Sequence, residues 1–367
     1  MSQGGLQSFI MNYYRNIDRS KVQFDFIVHT SENSFYYNEI KALGGQIHIV
    51  PPMTIRSISG FSKAFYKILL RHPGYLIVHS HLNWLNIVPL RIAKKYGLPI
   101  RISHSHGSYS ARSLYKKIQR FIFQMIIGVY STDFLACSTV AGVWLYGNKF
   151  LIDKRAKIVH NAIDLDEFQF DANKRLLLRN KHGIALDAHV LISVSRLVPG
   201  KNLEFLLDIF REYNKIHDNT ILIIVGDGII RDELEHKAER LGLIQKIIFL
   251  GMVDNVQEYL SAADFFVFPT FSEGLSISLI EAQVSGLPAI VSTEGISKEA
   301  FITNSVVFYS LKKLASEWAR QIFSLEIKER NIVLQDVRDS GYDIKEEAKK
   351  LQKFYLARVE DVKTINK

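Results

Sequence analysis

Ten short apolar runs, each about as long as one buried strand, punctuate this chain, and amphipathic helical stretches separate them. FDFIVHT, QIHIVP, YLIVHS, PIRISHS and DFLACS form a first series; VLISVS, ILIIVGDG, IIFLG, FFVFP and AIVS form a second. The runs are nearly continuous in apolar character, as expected of strands covered on both faces. Parallel sheets with helices on either side meet that requirement. Segments such as Phe61–Arg71 and Leu85–Tyr96 supply the helices of the first series. Two series of similar size predict two doubly wound, Rossmann-like α/β domains, residues 1–162 and 163–340, meeting near KIVHNAID at Lys157–Asp164. Residues 341–367 follow, with a helix over Ile344–Val359 that either caps the second domain or crosses back onto the first. The chain opens on a helical segment, GGLQSFIMNYYRNID, where a doubly wound domain normally opens on its central strand. The first strand of the N-terminal domain is therefore expected to be missing.

The 367 residues are 47% hydrophobic and 23% charged, which excludes a disordered or fibrous chain. A single cysteine, Cys137, excludes an internal disulfide framework and offers no metal-ligand spacing; it reads as a small core residue. The N-terminus lacks a basic region followed by an apolar core, and the longest apolar run, around Phe121–Tyr130, is too short to span a bilayer. A cytoplasmic location is expected. The formal charge of +9 is uneven: residues 1–165 carry 20 Lys and Arg against 7 Asp and Glu, a balance of +13, whereas the remainder carries 26 against 30, or −4. The first half is thus expected to meet something anionic.

Phe265–Ser292, FFVFPTFSEGLSISLIEAQVSGLPAIVS, reads as strand, turn, helix and strand. Its turn, SEGLS, is placed to offer backbone N–H groups to an anion. Glu273 and Glu281 are eight residues apart, roughly 800° of helical rotation, so they would stand about 80° out of phase on one helix. Glu273 is therefore expected in the loop and Glu281 on the helix, holding different parts of one ligand. Arg196 and Lys201, in SVSRLVPGKN, follow the first strand of the second domain and are placed to neutralise phosphate at the sheet's carboxyl end. Gly226, Asp227 and Gly228 occupy the same topological place after the next strand. Gly4 and Gly5 open the first helix, where N–H groups could approach an anionic ligand. Histidines come in two pairs, His79 and His81 in VHSHL and His104 and His106 in SHSHG. The members of each pair are expected to face opposite ways, with His106 toward the ligand crevice and the others packed. Without a cysteine partner or an H-E-x-x-H helix, no metal is assigned to them.

Taken together, SRLVPGKN, IIVGDG and FLGMVDNVQEYLSAADFFVFPTFSEGLSISLIEAQVSGLPAIVS resemble the retaining nucleotide-sugar glycosyltransferases of the GT-B fold, family four in particular. GGLQSFIMN, SHSHG and HNAID extend the resemblance into the first domain, and QFDFIVHT and KEAFIT point to bacterial capsule and exopolysaccharide members. The resemblance implies two Rossmann-like domains facing a cleft. It implies that Glu281 binds the donor ribose and Glu273 the transferred sugar, with Gly274, Leu275 and Ser276 near the sugar and diphosphate. Arg196 and Lys201 would stabilise the departing diphosphate, which implies a metal-independent reaction with no cofactor; Gly5, Gly226 and His106 would complete the site. Glu273 and His106 are the catalytic candidates. The chain departs from the family where N-G-[IV]-D reads Asn161-Ala162-Ile163-Asp164, and where STEGISKEA replaces a glycine-rich turn, with Glu299 near the family's acidic position.

The expected reaction moves a hexose or N-acetylhexosamine from a nucleotide-diphosphate sugar, with uridine as the nucleoside, to a lipid-linked or oligosaccharide acceptor in surface-polysaccharide synthesis, a saccharide on polyprenyl diphosphate being one candidate. LYKKIQRFIFQMIIGVY at Leu114–Tyr130 mixes basic and apolar residues and suits peripheral attachment to an anionic membrane surface. Two rivals remain. A nucleotide-sugar epimerase on the same scaffold would need no acceptor. A basic nucleic-acid-binding protein is disfavoured, because the positive charge lacks interleaved aromatics and no nucleic-acid partner is expected.

Overall fold

A computed structural model of the protein describes residues 5–29, 35–54, 56–107, 114–273, 275–325, 330 and 334–365. Gly4 and Gly274 lie outside the described residues. The chain divides into two compact units, Met1–Ala162 together with Ile344–Lys367, and Ile163–Asp343.

In the first unit every strand pair is parallel. β1 (Phe26–Val28) pairs with β2 (Ile47–Ile49), and β3 (Ile77–Ser80), β4 (Ile100–Ser105), β5 (Asp133–Ala136) and β6 (Ala156–Ile158) form a separate sheet in that order. A single continuous sheet is not present: no pairing joins β1 to β3 among the described residues. The helix Gly5–Asn16 buries Phe9, Met11, Tyr13 and Tyr14. Tyr13 Oη donates to His160 O at 2.8 Å and Asn12 Nδ2 to Ala162 O at 3.1 Å, tying this helix to the stretch that leaves the unit. The C-terminal helix, Ile344–Ile365, belongs to the first unit, not the second. It buries Ala348, Leu351 and Tyr355, and Arg358 Nε reaches Asp133 Oδ1, at the start of β5, at 2.9 Å. Only part of β6 was legible in sequence, because three residues with an exposed Lys157 give no apolar run.

The second unit holds one six-stranded parallel sheet. β7 (His189–Val194), β8 (Thr220–Val225), β9 (Ile247–Gly251), β10 (Phe265–Phe268), β11 (Ala289–Ser292) and β12 (Val306–Tyr309) lie in the order β12-β11-β10-β7-β8-β9. β10 and β11 are buried throughout, which is why FFVFP and AIVS carry no polar alternation. β12 is an edge strand with three half-buried residues, and its weaker apolar signal kept it out of the expected set. The helix Leu203–Ile216 presents Leu206, Leu207, Phe210 and Tyr213 to the core, which Trp318, Ala319 and Ile322 share.

At the amino end of this sheet one carboxylate organises two guanidinium groups. Asp264 accepts from Arg175 Nη2 at 2.6 Å, Arg179 Nη2 at 2.7 Å and the Val190 N–H at 2.8 Å. Arg179 is fully buried, and its remaining donors go to the carbonyls of Ala262, Ala185, Leu186 and Ala188. Arg330, close by, is pushed down to about 9, mainly by burial. Removing Asp264 strands a buried cation, the costly half of a broken ion pair. Asp264→Ala is expected to destabilise the protein by about 3–5 kcal/mol in urea unfolding; a loss below about 1 kcal/mol, the worth of an exposed pair, contradicts this reading.

Candidate donor-binding site

The carboxyl ends of β7, β8, β10 and β11 release four loops, and backbone contacts hold them against one another. Gly226, after β8, has φ of +124°, and a Cβ there would lie 2.0 Å from Ser195 O in the loop after β7. A Cβ at Gly295, after β11, would lie 1.9 Å from Thr270 O after β10. Both positions require glycine because two backbones meet there. Thr270 Oγ1 and the Phe271 N–H both donate to Gly200 O at 3.1 Å, Asn202 Nδ2 donates to Pro269 O at 3.0 Å, and the Glu273 N–H donates to Gly295 O at 2.7 Å. Ser292 Oγ closes the set on Thr270 O at 2.5 Å.

This latch fixes two of the expected site residues side by side. Lys201 ends the turn Pro199–Lys201, is buried, and its ammonium pairs with the Glu273 carboxylate. The pair leaves little net charge in a partly dry place, so an arriving ligand exchanges partners rather than meeting a bare cation. Arg196 is exposed and makes no ion pair with the described residues. Of the N–H groups in the SEGLS turn, one is committed within the fold. The Glu273 N–H is already spent on Gly295 O, and Leu275 and Ser276 are buried.

Glu273 lies in the loop and Glu281 on the helix Ile277–Val284, whose cap is Ser276: its Oγ accepts from the Leu279 N–H at 3.3 Å. Glu281 is largely enclosed, and desolvation, with a smaller contribution from Glu167, pushes its carboxyl up to about 8. No described ion pair links it to Arg196 or Lys201. Sequence reading missed the residues that hold this frame. Thr270 and Asn202 act through side-chain bonds to backbone carbonyls, and Gly295 through its backbone. Gln283 is fully buried, donates to the carbonyls of Leu279 and Ala300, and accepts from the N–H groups of Ile302 and Thr303. A polar residue on the apolar face of that helix was the one available signal.

In the first unit, Gly5 is exposed at the start of its helix. The four histidines gather on one side of β3 and β4. The expectation that each pair diverges is wrong, because the pleat sends residues i and i+2 to the same face. His81 Nδ1 lies 2.8 Å from His106 Nε2, and the rings of His104 and His106 stack at 4.0 Å between centroids. Burial holds His79, His104 and His106 well below the usual histidine range and His81 at about 3, so all four are neutral at pH 7.

Comparison with known proteins assigns the class. Residues 3–167 match the family model described as Glycosyltransferase Family 4, and residues 174–335 match that described as Glycosyl transferases group 1. The chain belongs to the family-four glycosyltransferases of the GT-B fold, and it is an enzyme of the transferase class. Among its relatives, a Bacillus subtilis protein designated glycosyltransferase EpsF is 29% identical over 97% of this chain and 94% of its own length. The capsular polysaccharide biosynthesis glycosyltransferase CapH of Staphylococcus aureus is 25% identical over 98% and 97%. An Escherichia coli UDP-Gal:alpha-D-GlcNAc-diphosphoundecaprenol alpha-1,3-galactosyltransferase is 28% identical over 62% and 60%. Of solved structures, HepE of Anabaena in complex with UDP-glucose superposes with a TM-score of 0.69 at 16% identity, over 100% of this chain and 96% of that one.

Glu281 generates a pH prediction. Its folded-state pKa of about 8 lies above its unfolded value, so the native state holds a proton that the unfolded chain releases. The resulting stabilisation is complete below the unfolded value of about 4.3 and is lost as pH rises through about 8. Between pH 5 and 8 the wild-type Tm should fall more steeply than that of Glu281→Gln. Parallel profiles would show that Glu281 is ionised throughout.

Proposed function

We propose that this chain transfers a hexose or N-acetylhexosamine from a uridine-diphosphate sugar to a lipid-linked or oligosaccharide acceptor in surface-polysaccharide synthesis, with retention of anomeric configuration. The observation that carries this reading is the Lys201–Glu273 pair on the latched carboxyl-end loops, with the exposed cation of Arg196 on the same loop as Lys201. Lys201 and Arg196 meet the diphosphate, Glu273 takes sugar hydroxyls, and Glu281 accepts from the ribose. CapH's role in capsule synthesis, the diphosphoundecaprenol-linked substrate of the Escherichia coli relative and the UDP-glucose bound to HepE support the donor and acceptor classes.

In this mechanism the bond between the anomeric carbon and the diphosphate oxygen breaks while the acceptor hydroxyl attacks on the same face. The acceptor proton passes to the departing phosphate oxygen. Negative charge grows on the leaving group, and fixed cations stabilise it there without a metal ion. His106 and Gly5 are assigned to the donor by resemblance, with His106 a neutral hydrogen-bonding group. Lys201→Ala should lower kcat by roughly a hundredfold or more with UDP-sugar and acceptor. Glu281→Ala should weaken UDP affinity about threefold to tenfold, the worth of a hydrogen bond to an uncharged group, and Glu273→Ala should mainly slow transfer. Equal loss of UDP affinity at Glu273 and Glu281 contradicts the division of roles. Isomerisation of the sugar nucleotide without acceptor points to an epimerase instead.

The helix Leu114–Tyr130 carries the acceptor side of the proposal. Ile118, Phe121, Ile122, Met125 and Val129 recur at helical spacing and all are exposed, Phe121 by 63% and Met125 by 59%. Lys94 Nζ reaches Val129 O at 3.0 Å and Lys149 Nζ reaches Gln124 O at 3.4 Å, so ammonium groups border the apolar row. An apolar row edged with cations, within residues of balance +13, suits the headgroup boundary of an anionic bilayer. No helix among the described residues is long and apolar enough to cross a membrane. The protein should sediment with phosphatidylglycerol vesicles at low salt, and Phe121→Asp with Met125→Asp should weaken this about tenfold or more. Failure of the wild type to sediment would sink the membrane assignment and leave the donor assignment standing.

A further inference from the structure

Parallel register sets Ser80 of β3 opposite Ser103 of β4, so the two histidine pairs that flank these serines lie across from one another. His79 Nε2 is 3.0 Å from His104 Nδ1, and one ring nitrogen from each of His79, His81 and His104 lies within 4.8 Å of the others. Imidazole nitrogens at about 2.0–2.1 Å from a tetrahedral zinc ion stand roughly 3.3 Å apart, which lies between the 3.0 Å of the His79–His104 contact and the 4.8 Å that bounds the group.

One further observation favours an ion over simple packing. Metal-bound imidazoles use their second nitrogen to hold a partner that orients the ring. His79 Nδ1 lies 2.6 Å from Tyr355 Oη, and His81 Nδ1 lies 2.8 Å from His106 Nε2. The group contains no carboxylate, which disfavours magnesium, calcium and manganese and selects an ion that prefers imidazole.

We infer that His79, His81 and His104 form a binding site for a divalent transition-metal ion of the zinc type. The site is built wholly from the first unit, and none of its three ligands is assigned a part in the transfer chemistry proposed above. Through Tyr355 it clamps the C-terminal helix to the carboxyl ends of β3 and β4, and through His81 it fixes the orientation of His106.

The test uses the full chain without a histidine tag, stripped with a chelator and dialysed against zinc alone. One zinc per chain and a raised Tm are expected, while magnesium produces neither. Cobalt in place of zinc should show the visible absorption of a tetrahedral nitrogen site. His104→Ala should weaken zinc binding by more than a hundredfold, beyond what loss of an outer partner costs, and Tyr355→Phe by about ten- to a hundredfold. His236→Ala, on an exposed helix, should change nothing. Less than half an equivalent of zinc on the wild type overturns the inference, as does stoichiometric binding that survives His104→Ala. If His104→Ala does not fold, the cobalt spectrum and the Tyr355→Phe affinity decide: no tetrahedral band, or unchanged affinity, overturns it.

Discussion

Backbone meeting backbone at the carboxyl end of the six-stranded sheet is the constraint on which the candidate donor site depends. Thr270 O faces Gly295 so closely that no Cβ fits between them, and Gly226 stands in the same relation to Ser195 O. The loop after β10 is thereby held between the loops after β7 and β11. Lys201 and Glu273 sit on two of these loops, so their pairing follows from the latch rather than from any attraction over distance. A carboxylate and an ammonium on independently mobile loops would lose side-chain entropy to form the same pair. Here the backbone has already been ordered by hydrogen bonds that involve neither charge.

The two ends of this sheet use charge in opposite ways. At the amino end Asp264 is saturated by Arg175, Arg179 and a backbone N–H, and its guanidinium partners are satisfied by carbonyls. That cluster has no capacity left for a ligand, which makes it structural. At the carboxyl end Lys201 has one carboxylate partner, Arg196 is exposed, and Glu281 is enclosed beside another carboxylate. Incomplete pairing is costly to a folded protein and is retained where a ligand completes it.

The first unit shows the same contrast between satisfied and unsatisfied groups. Tyr13, Asn12 and Arg358 close their hydrogen bonds within it. The apolar face of Leu114–Tyr130 is exposed, while the histidines bond to one another and to Tyr355; the partners proposed above are a lipid surface for the helix and a metal ion for the imidazoles.

The sequence by itself determined the class of fold, because near-continuous apolar runs separated by amphipathic helices can be buried only as parallel strands covered on both faces. It also determined that Glu273 and Glu281 hold different elements, since their separation is out of phase with a helix. Tertiary structure decided what depends on distant residues touching. Lys201 meets Glu273 across 72 positions, and Gly295 meets Thr270 through backbone atoms that carry no residue-specific signal. β6 and β12 were obscured because short or edge strands need little apolar character. The four histidines came together because strand register, not local spacing, sets β3 against β4. The C-terminal helix was ambiguous in sequence for a related reason: one apolar stripe fits either unit, and only Tyr355 and Arg358 finding His79 and Asp133 settles which.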